Sequence, residues 1–581
     1  MAQYNNIHRP DVSFVWTITD VVLRDTFKKS EIGDVILPFV VLRRMDCILG
    51  PYNKSVRARY EQFKDKIALE KLDPLLRKTA GGLKFYNTSK YTLLSLLDDA
   101  KNISVNFTNY MAGFNSEVRS IFEYFQFDKV VARLNRNALL YKMISSITDL
   151  DFSMAAYDNH DMGYVFEELI RIANDQSNEQ AGEHFTPRDV IRLMSAILYT
   201  PDADELRQPG IIRSIYDPAC GTGGMLNVGK RYILEEICGD LEQKPVITTY
   251  GQELNEQSYA IAKSEALVSG ENADNIKLGN SFTQDRFSTS RFNYIMANPP
   301  YGVTWKKDQD FIIEESLNPE GRFYAGTPRT SDGQLLFIQH MLSKMKSDGS
   351  RVGVVTNGSP LFSGGAGSGE SNIRKWIIEN DWLECIIALP KELFYNTGIA
   401  TYLWFFTNKK SAQRRGKIQL INAVDFCEPS PKSLGNKRYD ILEKHVLQIL
   451  KFYMDFEENK NSKIFENSDF GQYELTVEQP LRNEKGELIL KRGQKQADSN
   501  KRDTEKIGLK TDWKRYFQEN VLPHIDPESW VEISKTRKLY EINFTKYFYE
   551  FAKQESSEVI AARIKAREDK IAGMIKSIFR D

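Results

Sequence analysis

No stretch of this 581-residue chain stays apolar long enough to span a bilayer, and no signal peptide is read at its start. A membrane role is excluded on that reading, and a cytoplasmic location is expected. Cysteine is scarce: there are five, an odd number, with no paired metal-ligand spacing. That composition argues against a disulfide scaffold and against zinc sites of the finger type, so no metal is expected. An excess of one charge is missing too. Lys and Arg total 78 against 79 Asp and Glu, which leaves −1. Proteins that grip duplex DNA unaided usually carry a basic face, so this chain reads at most as part of such a machine. What is present is ample core material, 41% hydrophobic and 12% aromatic. The length exceeds what one core usually holds, and two or three domains are expected.

The most informative segment is Asn298-Pro299-Pro300-Tyr301, where the apolar run Phe292 to Ala297 ends. Two prolines fix φ and remove two N–H donors, so the chain leaves a buried strand stiffly with unused carbonyls. Such a turn suits a planar amine: the Asn298 side-chain oxygen and the Pro299 carbonyl accept its two N–H groups, and Tyr301 supplies a stacking face. The lone pair of an exocyclic amine is delocalised into its ring. Accepting both hydrogens favours a nitrogen that pyramidalises toward an electrophile.

Upstream, the short strand ending at Tyr216 runs into Asp217-Pro218-Ala219-Cys220-Gly221-Thr222-Gly223-Gly224 and then a helical pattern from Met225. Strand, glycine turn and helix bring a backbone close to a nucleotide-like ligand. No Lys-Ser or Lys-Thr follows the glycines, so phosphate cradling is not indicated. A ligand without phosphates fits, such as S-adenosylmethionine with its methionine part against Gly221 and Gly223. Strand Val246 to Tyr250 ends in Gly251-Gln252-Glu253, where an acid suits both ribose hydroxyls. Strand Asn275 to Leu278 ends in Gly279-Asn280-Ser281, again polar. Cys220 reads as a small packing residue, since no histidine lies near it in sequence.

With these motifs the chain resembles the modification subunit of type I restriction-modification systems, an N6-adenine DNA methyltransferase of the HsdM type. The likeness is carried by Asn298 to Tyr301, by Asp217 to Gly224, and by Gly182-Glu183-His184-Phe185-Thr186-Pro187-Arg188 ahead of the cofactor loop. It extends to Gly353-Val354-Val355 through Thr397-Gly398-Ile399 and to the opening from Phe14 to Asp46. The resemblance implies S-adenosylmethionine as cofactor. It places His184, Phe185, Thr186, Pro187, Asp217, Ala219, Gly221, Thr222, Gly223, Gly224, Glu253, Asn280 and Ser281 at the cofactor, and Asn298, Pro299, Pro300 and Tyr301 at the reacting amine. Partners implied are DNA, a specificity subunit that reads the sequence, a second modification subunit and, where one joins, a restriction subunit. Base flipping is expected because duplex stacking hides the adenine amino group. The same tetrapeptide also serves methyltransferases of protein glutamine and of RNA guanine, and a catalytically silent scaffold is the non-enzymatic rival.

The expected fold class is α/β, a Rossmann-like S-adenosylmethionine-dependent methyltransferase sheet. It carries an N-terminal all-helical domain (1–150) and a catalytic domain (151–425). A mainly helical C-terminal extension (426–581) is read as docking on the specificity subunit. Alternation after Arg188 predicts a mostly parallel sheet whose last strand, near Ile399 to Phe406, is the candidate for running antiparallel. Helices are expected over Met162 to Ala173, Arg188 to Leu198 and Gln334 to Met345, with His340 as a core residue of the last. Trp305, Lys306 and Lys307 are candidates for base stacking and phosphate contact. Ser363 to Gly369 reads as a mobile loop, and the charge-dense 482–514 as an exposed hairpin or loop. Ser557 to Phe579 reads as a helix with an isoleucine-rich face.

Overall fold

The computed structural model describes residues 12–578 apart from 29–30, 159–160, 164, 167–168, 170–185, 396 and 550–555. Two compact units are present, Met1–Ile542 and Asn543–Asp581. The expected Met162 to Ala173 helix and Gly182 loop fall largely outside the described residues.

The larger unit opens with a helical bundle organised around Ile32–Leu49, of which fourteen of eighteen residues are buried. A helix wrapped on all sides needs apolar residues all round, which is why its sequence is near-continuously aliphatic rather than striped. Its two buried charges are hydrogen-bonded: Arg44 donates to the Phe152 and Tyr157 carbonyls, each at 2.7 Å, and Asp46 accepts from the Tyr110 hydroxyl at 2.8 Å. Helix Ser116–Tyr124 lies against Glu256–Val268 of the sheet region, with Tyr124 edge-on to Tyr259 at 5.0 Å between centroids. Ala260, Ile261 and Leu267 belong to the same core as the bundle, so the front helices and the sheet share an apolar interior.

The sheet contains β1 (Ile212–Asp217), β2 (Val246–Glu253), β3 (Ile276–Leu278), β4 (Tyr294–Ala297), β5 (Arg351–Asn357), β6 (Leu383–Ala388), β7 (Thr401–Thr407) and β8 (Lys417–Asn422). A hairpin, β9 (Glu428–Leu434) and β10 (Lys437–Asp440), precedes β11 (Ser462–Glu466), which completes the sheet. The nine strands run β11-β8-β6-β7-β5-β4-β1-β2-β3. From β3 to β5 every pairing is parallel; β7 enters between β5 and β6 antiparallel to both. The antiparallel candidate is therefore β7, and two further strands extend the sheet beyond it. β4 and β6 are buried at every position, as both faces being covered requires.

The C-terminal part of this unit departs from the mainly helical expectation. β12 (Gly471–Glu478) pairs antiparallel with β15 (Asp503–Gly508), β16 (Trp530–Val531) and β17 (Arg537–Tyr540). Tyr473, Thr476 and Val477 are strand-favouring residues, but their partners are short and two of the three are charged, so periodicity alone does not reveal the sheet. Between them, β13 (Leu490–Lys491) and β14 (Gln494–Lys495) form an exposed hairpin. Its neighbourhood is charge-balanced, with Arg482–Asp526 at 2.6 Å and Arg502–Glu478 at 2.7 Å, which makes a structural surface rather than a basic stripe.

In the smaller unit, helix Ser557–Ile578 exposes Val559, Ile560, Ile564, Ile571, Met574 and Ile575. No helix among the described residues is long and apolar enough to cross a membrane.

Candidate active site

Strand order reverses between β1 and β4, and ligands of open α/β sheets bind at the carboxyl ends of the strands at such a switch point. The glycine turn leaves β1 there, and Asn298-Pro299-Pro300-Tyr301 leaves β4 beside it. In the glycine turn, Gly221 and Gly223 adopt φ of +54° and +86°, a region that costs other residues about 1–2 kcal/mol. Gly223 donates to the Cys220 carbonyl at 2.8 Å and stands at the start of helix Gly224–Arg231. A Cβ on Gly221 would meet nothing within 4 Å, so the space above this residue is open. Thr222 is buried beneath the turn, while Ala219 and Gly224 are half-buried.

Two acids flank the turn. Asp217 is 1% exposed and accepts from the Ala219 N–H at 2.9 Å. Burial pushes its pKa up to about 8, with the Glu253 charge adding to the rise. Glu253 accepts three backbone N–H groups: Gly221 at 2.7 Å, and Leu254 and Asn255 each at 2.8 Å. Burial nonetheless raises its pKa. An ionised carboxylate offers about four acceptor positions, so one remains for a ligand hydroxyl. Glu253 thus holds the glycine turn itself, a duty its sequence context does not reveal.

At the end of β4, Asn298 is half-buried and Tyr301 is 8% exposed. The Tyr301 hydroxyl donates to the Asn298 Oδ1 at 2.5 Å, and the ring packs edge-on to Phe394, centroids 6.4 Å apart. Pro299 is buried and Pro300 half-buried. In this conformation the Asn298 amide oxygen and the Tyr301 hydroxyl engage each other. Burial also drives the Tyr301 phenol well above its ordinary pKa, so it remains a donor at neutral pH.

The third strand end closes the crevice. Ser281 is buried and donates to the Pro218 carbonyl at 2.5 Å, which ties this loop to the glycine turn. Asn280 accepts from the Phe282 N–H at 2.8 Å and donates to Asp308 at 3.1 Å, beyond the proline turn. Thr186 and Pro187 are buried, Pro187 standing immediately before helix Arg188–Tyr199; His184 and Phe185 lie outside the described residues.

The three DNA-contact candidates separate. Lys306 and Lys307 are exposed just past the turn. Trp305 is not a surface residue: it is 3% exposed, donates its indole N–H to the Arg329 carbonyl at 2.9 Å and packs with Phe282, Ile312, Phe323 and Leu336. Four residues scattered over 55 positions build that pocket, so its lysine-rich local sequence misleads. Ser363 to Gly369 is also tethered, because Arg374 donates to the Ser363 carbonyl at 2.7 Å and Ser368 caps helix Gly369–Glu379. His340 is fully buried, as expected of a core residue.

Among the described residues no group of His, Cys, Asp and Glu could hold a metal. The open space over Gly221, the spare acceptor on Glu253 and a turn without phosphate-binding cations together fit an adenosyl ligand lacking phosphates. The sheet, with antiparallel β7 between β5 and β6, and the paired strand-end loops define a protein of the methyltransferase-like α/β class. A family model, N-6 DNA Methylase, matches residues 157–487, and a second, HsdM N-terminal domain, matches 12–147. The chain belongs to the N-6 DNA methylase family.

Curated relatives agree. A type I restriction enzyme methylase subunit of Methanocaldococcus jannaschii is 26% identical over 324 residues, 55% of this chain and 53% of that protein. The HindI methylase subunit of Haemophilus influenzae is 28% identical over 331 residues, 55% of this chain and 69% of that one. The match thus spans about half the length of the first relative. Among solved structures, a type I restriction-modification methyltransferase subunit from Streptococcus thermophilus superposes with TM-score 0.59 at 20% identity, over 78% of this chain and 95% of that one. That likeness concerns the fold.

Proposed function

We propose that this chain is the modification subunit of a type I restriction-modification complex and methylates adenine N6 in DNA at sites chosen by a partner. One observation carries the reading: the glycine turn and Asn298-Pro299-Pro300-Tyr301 leave adjacent strands at the switch point of the sheet. Family membership and the names of the relatives support it.

S-adenosylmethionine, bound over Gly221 and Gly223 with Glu253 toward its ribose, supplies an electrophilic methyl group on sulfur. Asn298 Oδ1 and the Pro299 carbonyl accept the two N–H groups of a flipped adenine and stabilise the positive charge that grows on N6. Tyr301 stacks on the base once its ring turns from Phe394. Ala219, Thr222, Gly224, Asn280 and Ser281 shape the cofactor crevice, with His184, Phe185, Thr186 and Pro187 at its methionine end. Lys306 and Lys307 contact phosphate. The near-neutral net charge fits a shared grip on DNA, with a specificity subunit, a second modification subunit and a restriction subunit where one joins, all in the cytoplasm. Blocks 1–150, 151–425 and 426–581 serve as front, catalytic and docking parts.

The test is N6-methyladenine mapping in the source cell, comparing a deletion strain rescued with wild type or with Asn298→Ala. Methylation at a split motif, present with wild type and absent with the variant, is expected. An unchanged methylome would sink the reading and favour a protein-glutamine or RNA-guanine substrate, or a silent scaffold.

A further inference from the structure

The segment after the catalytic turn holds a guanidinium with every donor in use. Arg322 Nε and Nη2 form a fork on the Glu315 carboxylate at 2.7 and 2.6 Å. Nη1 donates to the Ser281 carbonyl at 2.8 Å and to His340 Nδ1 at 2.9 Å, and Nη2 donates to the Phe282 carbonyl at 2.5 Å. Five N–H groups thus meet five acceptors, the full complement of an arginine. Acceptance at Nδ1 fixes the tautomer of the neutral His340, whose Nε2–H then faces the Tyr216 hydroxyl of β1 at 3.2 Å.

Three parts of the site converge on this one side chain: the loop closing β3, the segment leaving the catalytic turn, and through His340 the strand that delivers the glycine turn. The loop needs such an anchor. β3 is three residues long and pairs with one neighbour, so its ladder restrains little of the chain beyond Leu278. Ser281 is gripped twice, its carbonyl by Arg322 and its hydroxyl by the Pro218 carbonyl.

We propose that Arg322 is a positioning residue that sets the β3-end loop, Asn280 to Phe282, at the cofactor crevice relative to the catalytic turn. The proposal rests on the methyltransferase reading and adds to it a residue that touches neither cofactor nor base. Lysine offers three donors from one point and cannot reproduce the fork. Arg322→Lys should therefore release the loop while keeping the charge.

Calorimetry with S-adenosylmethionine, together with steady-state kinetics of the complex on target DNA, tests this. For Arg322→Lys, the cofactor Kd and KM should rise about tenfold while kcat at saturating cofactor stays within about threefold, because lost anchoring hydrogen bonds act on the loop and not on the amine. Glu315→Gln leaves both loop carbonyls in place but removes the counter-charge and puts an NH2 donor where one fork acceptor stood; it should shift Kd in the same direction by about threefold. It also supplies the answer if the lysine variant does not fold. Unchanged Kd in the folded variants, or a loss confined to kcat, overturns the assignment. Absence of cofactor binding by the wild-type chain would overturn the methyltransferase reading and this one with it, and is told apart by appearing before any substitution.

Discussion

The loop at the end of β1 and the turn at the end of β4 are neighbours held in opposite ways. At β1 the polar groups answer to backbone: Glu253 accepts three main-chain N–H groups, and Asp217 and Gly223 close the turn on itself. At β4 the two side chains of the proline turn answer to each other, Tyr301 to Asn298. A backbone-held loop is formed before its ligand arrives and exchanges little on binding. A side-chain pair parts by rotation about χ angles, at the cost of one hydrogen bond, about 0.5–1.5 kcal/mol. On the proposed function, the first arrangement suits a cofactor used in every turnover, and the second a base admitted only once it is flipped.

Four substitutions break or sharpen that contrast. The largest effect belongs to Asn298→Ala, which should cut methyl transfer by about 10²–10³-fold with cofactor affinity intact, since it removes an acceptor for charge that develops only in the transition state. Equal losses in calorimetric affinity and single-turnover rate would deny Asn298 that role. Next, Gly221→Val should weaken cofactor binding about tenfold or more: a branched side chain is strained at this φ and enters the open space. An undisturbed isotherm would show that the ligand lies elsewhere.

The third prediction concerns pH. The folded pKa of Asp217, about 8, lies above the usual value near 3.9, so the folded state holds an extra proton between them. Stability contributed by this group therefore falls as pH rises from about 4 to about 8. A bound sulfonium or ammonium favours the ionised form, so cofactor affinity should climb about fivefold from pH 7 to 8 and then level, with Asp217→Asn giving a flatter curve. The same slope in the variant would move the titration to another group, Glu253 first. The smallest effect is expected for Tyr301→Phe. The ring alone would make this change silent, whereas the bond to Asn298 Oδ1, which must part before the base enters, predicts about a threefold rise in kcat/KM when it is removed. A rate equal to wild type would return all of the work to the ring.

How much of this is legible in the sequence differs by element. β1, β4 and β7 are readable because an apolar run stops at a turn-forming residue, and the glycine turn and proline turn are readable because their backbone demands are local. Helix Ile32–Leu49 is readable as a helix but not as a largely buried one, since its neighbours come from more than a hundred residues away. Trp305 reads as exposed because Thr304, Lys306 and Lys307 surround it, yet residues 282, 312, 323 and 336 assemble its pocket. The Arg322 fork leaves no local trace at all: five acceptors from three separate segments meet only in the folded chain. The β12 sheet is hidden for a related reason, with partners of two, four and six residues that carry too few positions to show a period.

The brevity of β3 has one more consequence. A nine-stranded sheet ends in two edges, and an open edge is a template on which another chain can add a strand. Here one edge offers the three residues of β3, and the other the five of β11, which carry Lys463 and Glu466. Neither offers a long flat apolar rim. Edge-to-edge pairing between copies of this sheet is thereby discouraged, and the wide parallel core keeps its margins to itself.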